Sequence, residues 1–146
     1  MTIEVKIRNT SSNPLPAYAT EGASGMDVRA AISTPEHMKP LERKLIPTGL
    51  YMELPTGYEA QVRPRSGLAI RQGITILNAP GTIDSDYRGE IKIALVNLSG
   101  EEQVIQPGDR IAQLVIQKVE AVEWKQVDIL SETLRSEGGF GSTGKN

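Results

Sequence analysis

Apolar and polar residues alternate at the start of the chain, with Ile3, Val5 and Ile7 set between Glu4, Lys6 and Arg8. A period of two places the apolar side chains on one face of a half-buried strand. Further β-type segments lie at Gly25–Ala30, Lys44–Leu54 and Tyr58–Arg63, and Pro55-Thr56-Gly57 reads as the turn between the last two. Ile74–Asn78, Ile91–Leu98, Gln103–Ile105 and Arg110–Val122 continue the series. Ile91–Val96 is apolar except for Lys92, as in a strand covered on both faces. Helical patterning is confined to one short stretch, Ser66–Gln72, and Thr34–Pro40 reads as an exposed loop. Many short strands divided by turns predict an all-β domain, a sandwich or barrel, over residues 1–134, followed by a Gly-rich C-terminal arm over 135–146.

Composition sharpens this picture. Fourteen Gly and nine Pro spread along 146 residues leave little room for helices. Aromatics make up only 4% of the chain, so the core must be built from Ile, Val, Leu and Ala. Small β-domains with thin aliphatic cores often complete them against copies of themselves, a hint of oligomerisation. A net charge of −2 and a pI near 5.5 argue against a nucleic-acid polymer as partner, since no basic excess is available to neutralise its backbone. A free nucleotide needs only a few local cations and is compatible with that charge. Without Cys there is no disulfide, thiolate nucleophile or Cys-ligated metal. No apolar run resembles a signal peptide or a bilayer span, so the expected setting is soluble and cytoplasmic, with a nuclear or viral origin left open.

The residues available for chemistry are few. His37 is the single His and reads as a surface side chain, which removes a three-His zinc site and leaves no partner for a Ser or Cys nucleophile. Carboxylates acting with a water remain. Asp84, in Gly81-Thr82-Ile83-Asp84-Ser85-Asp86-Tyr87-Arg88-Gly89, follows an apolar residue and is expected at a strand end, although Asp-Ser-Asp is also ordinary turn chemistry. Tyr87 offers a wall for a sugar, and Asn78 offers donor and acceptor groups for a base edge. Arg65, Ser66 and Gly67 stand at the start of the short helix, where N–H groups favour an anion, or where Ser66 simply caps its own helix. Asp27 opens a strand after Gly25, as a solvated edge carboxylate also would. Gln113, polar among apolar neighbours, needs a hydrogen-bonding partner. In the arm, Arg135, Phe140, Gly141, Ser142 and Thr143 combine a guanidinium, a flat ring, backbone freedom and hydroxyls. That order suits a nucleotide lid, and its composition alone would also suit a plain Gly/Ser tail.

Taken in sequence, five segments resemble the motifs of the homotrimeric dUTPase family, the deoxyuridine triphosphate nucleotidohydrolases. They are Ser24–Asp27, Arg65–Ala69, Gly81–Gly89, Gly108–Gln113 and Arg135–Gly144, and the resemblance spans about Ala17 to Gly144. Ser136, Glu137 and Lys92 depart from that family's usual residues. The resemblance implies a jelly-roll sandwich of the β-clip type, assembled as a homotrimer with sites shared between subunits. It implies hydrolysis of dUTP to dUMP and pyrophosphate with Mg²⁺, limiting uracil in DNA and supplying dUMP. It further implies that Asp84 activates water and that Tyr87 excludes a 2′-hydroxyl. Asn78 would read uracil, and Arg65, Ser66, Gly67 and Gln113 would hold phosphates. Asp27 would reach the metal through water. Phe140 would stack over uracil while Arg135, Gly141, Ser142 and Thr143 close on the γ-phosphate. Two rivals share such a fold: a dCTP deaminase, whose pattern around Asp84 is not matched, and a regulatory module that binds nucleotide without turnover.

Overall fold

The computed structural model describes residues 2–141 and 144. Ten strands and one helix follow in the order β1 (Lys6–Asn9), β2 (Met26–Arg29), β3 (Glu36–Met38), β4 (Arg43–Glu53), β5 (Tyr58–Arg63), α1 (Ser66–Gln72), β6 (Ile74–Ile76), β7 (Gly81–Ile83), β8 (Ile91–Asn97), β9 (Gln103–Ile105) and β10 (Arg110–Lys118). Two antiparallel four-stranded sheets, ordered β1-β4-β8-β6 and β2-β10-β5-β7, face each other, and β3 pairs with β9 as a separate ribbon. This is the all-β sandwich that the alternation predicts.

The core lies between the sheets. Ile46, Leu50 and Met52 of β4 and Ile91, Ile93 and Leu95 of β8 meet Val28, Ala60, Val62, Ile111 and Leu114 from the opposite sheet. No aromatic side chain is buried among the described residues, so the interior is aliphatic, as the composition requires. Close packing of branched side chains across two pleated faces supplies the cohesion here.

Three expectations change on folding. The Thr34–Pro40 segment contains a strand, β3, whose Glu36, His37 and Met38 pair with Ile105, Val104 and Gln103. Met38 is fully buried while His37 stays exposed, its Nδ1 2.8 Å from Glu102. Three residues between prolines are too short for a period of two to be visible. Second, β8 is not covered on both faces throughout. Ile91, Ile93 and Leu95 point inward, but Lys92 is exposed and Ala94 half-buried on the outer side, beside the exposed Leu45. Third, β10 ends at Lys118 and not at Val122. Beyond it the chain carries no strand through Gly141 and leaves Trp124, Ile129, Leu130 and Leu134 exposed. Among the described residues no helix is long and apolar enough to cross a membrane.

Candidate active site

Asp84 follows the last residue of β7, the strand-end placement anticipated from the apolar residue before it. The chain leaves β6, turns through Asn78, and returns as β7 along β5, with Gly81 opposite Val62 and Ile83 opposite Ala60. Gly81 permits this approach: a Cβ there would stand 3.2 Å from Val62 Cβ and 3.5 Å from Asn78 Nδ2. The result is a cavity of about 490 Å³ whose walls include Asn78, Gly81, Asp84, Tyr87 and Glu90.

Tyr87 is fixed by its own turn. Its N–H donates to the Asp84 carbonyl at 3.1 Å, and its hydroxyl donates to the Glu90 carbonyl at 3.0 Å. The ring crosses Gly89 so closely that a Cβ at that position would lie 2.3 Å from the Tyr87 hydroxyl oxygen. Any side chain at 89 would evict the ring. Asp84, Asn78 and Tyr87 are therefore brought together in one opening, exposed and accessible.

A second cluster forms around Asp27 on β2. Arg65 Nε donates to Asp27 Oδ1 at 2.9 Å and Arg110 Nη1 to Oδ2 at 3.2 Å. Gln113 faces Asp27 across the β2–β10 ladder and places Nε2 3.5 Å from the same carboxylate. That supplies the partner its apolar surroundings demanded. Gly25 makes room for it, since a Cβ there would touch the Gln113 side chain at 3.4 Å. Two guanidiniums against one carboxylate leave the cluster net positive, an environment suited to an anion. Arg110, read from sequence only as the start of a strand, belongs to it.

Arg65 also begins α1. It occupies the N-cap position in extended conformation and no side chain caps the helix, so Ser66 does not serve as its own cap. The hydroxyl and the first-turn N–H groups of Ser66 and Gly67 are thus uncommitted to capping.

The two clusters stand apart within one chain. β7 and β2 are opposite edges of one sheet, three strand spacings or roughly 14 Å apart. Ladder register also offsets them along the strands: Asp84 follows Ile83, which faces Ala60, whereas Asp27 aligns through Gln113 with Arg63. Among the described residues, the arm joins neither cluster. Arg135 Nε bonds only locally, to the Gly138 carbonyl at 2.8 Å, and Phe140 is fully exposed. Ser142 and Thr143 lie outside the described residues.

Comparison with known proteins decides the lineage. A protein-family model described as dUTPase matches residues 11–144. The chain belongs to the dUTPase family. The deoxyuridine 5′-triphosphate nucleotidohydrolase of Finegoldia magna is 60% identical over 142 residues, covering 97% of this chain and 99% of that protein. Its counterpart in Cytophaga hutchinsonii is 60% identical over 145 residues, covering 99% and 94%. Among solved structures, the dUTPase of Staphylococcus bacteriophage 80alpha with dUpNHpp superposes with a TM-score of 0.84 at 26% identity, covering 98% of this chain and 99% of that one. This dUTPase-family member therefore matches its family over most of the chain and folds as a sandwich of the family's shape.

The metal question can be put to the donor set. Among the described residues no group of three His, Asp or Glu side chains comes together. Asp27 is a lone carboxylate between two arginines, which suits a water-mediated contact to an ion arriving with a polyphosphate and does not suit a resident ion.

Proposed function

We propose that this chain takes dUTP as its magnesium complex and hydrolyses it to dUMP and pyrophosphate, at sites shared between the subunits of a homotrimer. The observation that carries the reading is the common cavity onto which Asp84, Asn78 and Tyr87 open. Asn78 offers both a donor and an acceptor to the uracil edge. The tight apposition of β7 to β5 at Gly81 and Val62 leaves little depth for a thymine methyl group. Tyr87, locked over Gly89, lies against the deoxyribose and leaves no room for a 2′-hydroxyl. Asp84 orients a water on the α-phosphorus and accepts its proton. A bond forms from water oxygen to phosphorus, and pyrophosphate leaves with the electron pair of the α–β bridging bond.

Charge on the leaving group is met by Arg65, the N–H groups of Ser66 and Gly67, and the Gln113 amide. Magnesium arriving with the nucleotide would supply charge neutralisation at the phosphates, and Asp27 would hold it through water. Phe140 closes over the base, while Arg135, Gly141, Ser142 and Thr143 close over the γ-phosphate and exclude bulk water.

The separation of the Asp84 and Asp27 clusters supports shared sites. Roughly 14 Å of sheet between them is too far for one triphosphate to touch both within a chain. A second chain must then bring its Asp27 cluster to the first chain's Asp84. The exposed arm, reaching past its own domain, fits the same arrangement. In the cytoplasm such an enzyme limits uracil incorporation into DNA and supplies dUMP; its partners are the nucleotide and its own copies, with no nucleic acid or membrane.

Pyrophosphate release from dUTP with Mg²⁺, run beside dCTP, dTTP and UTP, tests the reading. Preferential pyrophosphate from dUTP is expected. Ammonia from dCTP with the triphosphate intact would indicate a deaminase, and binding without product would indicate a regulatory module.

A further inference from the structure

Glu90 lines the Asp84 cavity, yet no step of the mechanism uses its carboxylate. Its contacts assign it a different task. β4 and β8 pair regularly up to Pro47 opposite Lys92, and the next pair is Leu50 opposite Ile91, so Thr48 and Gly49 bulge out of the ladder. Backbone groups at such a bulge lose their ladder partners and must find others. Side chains replace the missing backbone here. The Thr48 hydroxyl donates to the Ile91 carbonyl, and the Gly49 N–H donates to Glu90 Oε1 at 3.0 Å. The Gly49 carbonyl in turn accepts from the Thr10 N–H at 2.8 Å.

Glu90 thus joins two things. Its side chain is bonded to a buried bulge in the middle of the sandwich, and its own carbonyl receives the Tyr87 hydroxyl. The bulge cannot drift. Gly49 has φ +68°, and a Cβ there would stand 2.9 Å from Ser11 Cβ, so its backbone is packed tightly against the Thr10–Ser11 segment. Tyr87, by contrast, sits on an exposed turn whose other ties are local. We infer that Glu90 is a specificity-determining positioning residue: it ties the Tyr87 ring to the rigid Gly49 bulge and so sets the ring's distance from C2′ of the sugar. This rests on the reading of Tyr87 as the element that excludes a 2′-hydroxyl. Reach and acceptor character should matter, and negative charge should not.

The experiment compares kcat/KM for dUTP and for UTP in wild type and in Glu90→Asp, Glu90→Gln and Tyr87→Ala. Asp keeps the charge but is one methylene too short to reach Gly49, while Gln keeps the length and an acceptor oxygen. Glu90→Asp is expected to reduce the preference for dUTP roughly tenfold, chiefly by admitting UTP, with Glu90→Gln within about threefold of wild type. A double variant, Glu90→Asp with Tyr87→Phe, should lose no more preference than the larger single change, because both break one linkage. Retained preference in Glu90→Asp, or a loss in Glu90→Gln equal to that in Glu90→Asp, overturns the inference. So does a lowered melting temperature with the dUTP-to-UTP ratio unchanged. Tyr87→Ala separates the levels. If it lowers the preference and Glu90→Asp does not, only the Glu90 linkage fails. If Tyr87→Ala leaves the ratio unchanged, the sugar-exclusion reading fails and takes the Glu90 inference with it.

Discussion

At the scale of single residues, Asp84 carries the sharpest prediction. It stands at a strand end and opens into the cavity beside Asn78 and Tyr87. Asp84→Asn keeps the shape and removes the proton acceptor, so kcat should fall at least about a hundredfold, the usual contribution of a general base. Calorimetric titration with dUTP should find binding nearly unchanged. A variant retaining more than roughly a tenth of the rate would assign the base elsewhere. Asp84, Asn78 and Tyr87 were legible as candidates because a chain with no Cys and one His leaves carboxylates acting with a water, and Asp84 follows an apolar residue with Tyr87 three positions on and Asn78 just upstream. Glu90 was not legible, because its role lies in a hydrogen bond to Gly49, 41 positions away in sequence. Arg110 was missed for the same kind of reason, its partner Asp27 lying on another strand.

At the scale of elements, α1 depends on its C-terminal stop. Gly73 adopts φ +65°, and a Cβ there would meet the Ser99 backbone nitrogen at 2.8 Å. Its carbonyl accepts the Leu98 N–H at 2.8 Å, which binds the helix end to the end of β8. Gly73→Ala should cost about 1–3 kcal/mol through backbone strain and displacement. The urea midpoint should fall with the m-value unchanged, and the KM for dUTP should rise because α1 carries Ser66 and Gly67. The edge strand β1 makes a milder case. The Lys6 ammonium holds the Glu53 carboxyl below its usual range through a direct hydrogen bond. A depressed carboxyl contributes stability above its unfolded pKa and loses it as pH falls through the folded value. Both side chains are exposed, so Lys6→Gln should lower the melting temperature only slightly at pH 7. That difference should shrink as pH falls out of the ordinary carboxyl range and through the lower folded value, and vanish only once the carboxyl is protonated in folded and unfolded states alike.

At the scale of the whole molecule, the arm and the sandwich should separate cleanly. The backbone bonds of the arm near Arg135 join it only to nearby residues, Ser136 to Thr133 and Gly138 to Arg135. Truncation after Leu134 should therefore leave the melting temperature within a degree or two, roughly the effect of an ordinary surface change, while abolishing turnover. The same truncation tests the shared site. Co-expressed with an Asp84→Ala chain of full length, it should form mixed trimers that regain activity. Random one-to-one assembly pairs an intact Asp84 with an intact arm at about a quarter of sites, since each of two chains must be of the right type. Doubly tagged, purified mixed trimers no more active than the two parents together would place each site within a single chain.

The alternation of apolar residues and the punctuation by Gly and Pro determined most of the strand segments along the chain, the single helix over Ser66–Gln72 and the class of fold. Each of those follows from contacts within a few residues, which a local pattern records. The turn at Pro55–Gly57, the strand-end position of Asp84 and the aliphatic core were legible on the same grounds. β3 escaped because three residues cannot display a period, and the exposure of Lys92 and Ala94 escaped because coverage of a strand is decided by what packs on its sheet. Only the tertiary structure set the Asp27 cluster and the Asp84 cavity on opposite edges of one sheet, and only it closed the link from Glu90 to Gly49. Distances between side chains remote in sequence depend on register and packing across the sandwich, and no stretch of sequence contains them.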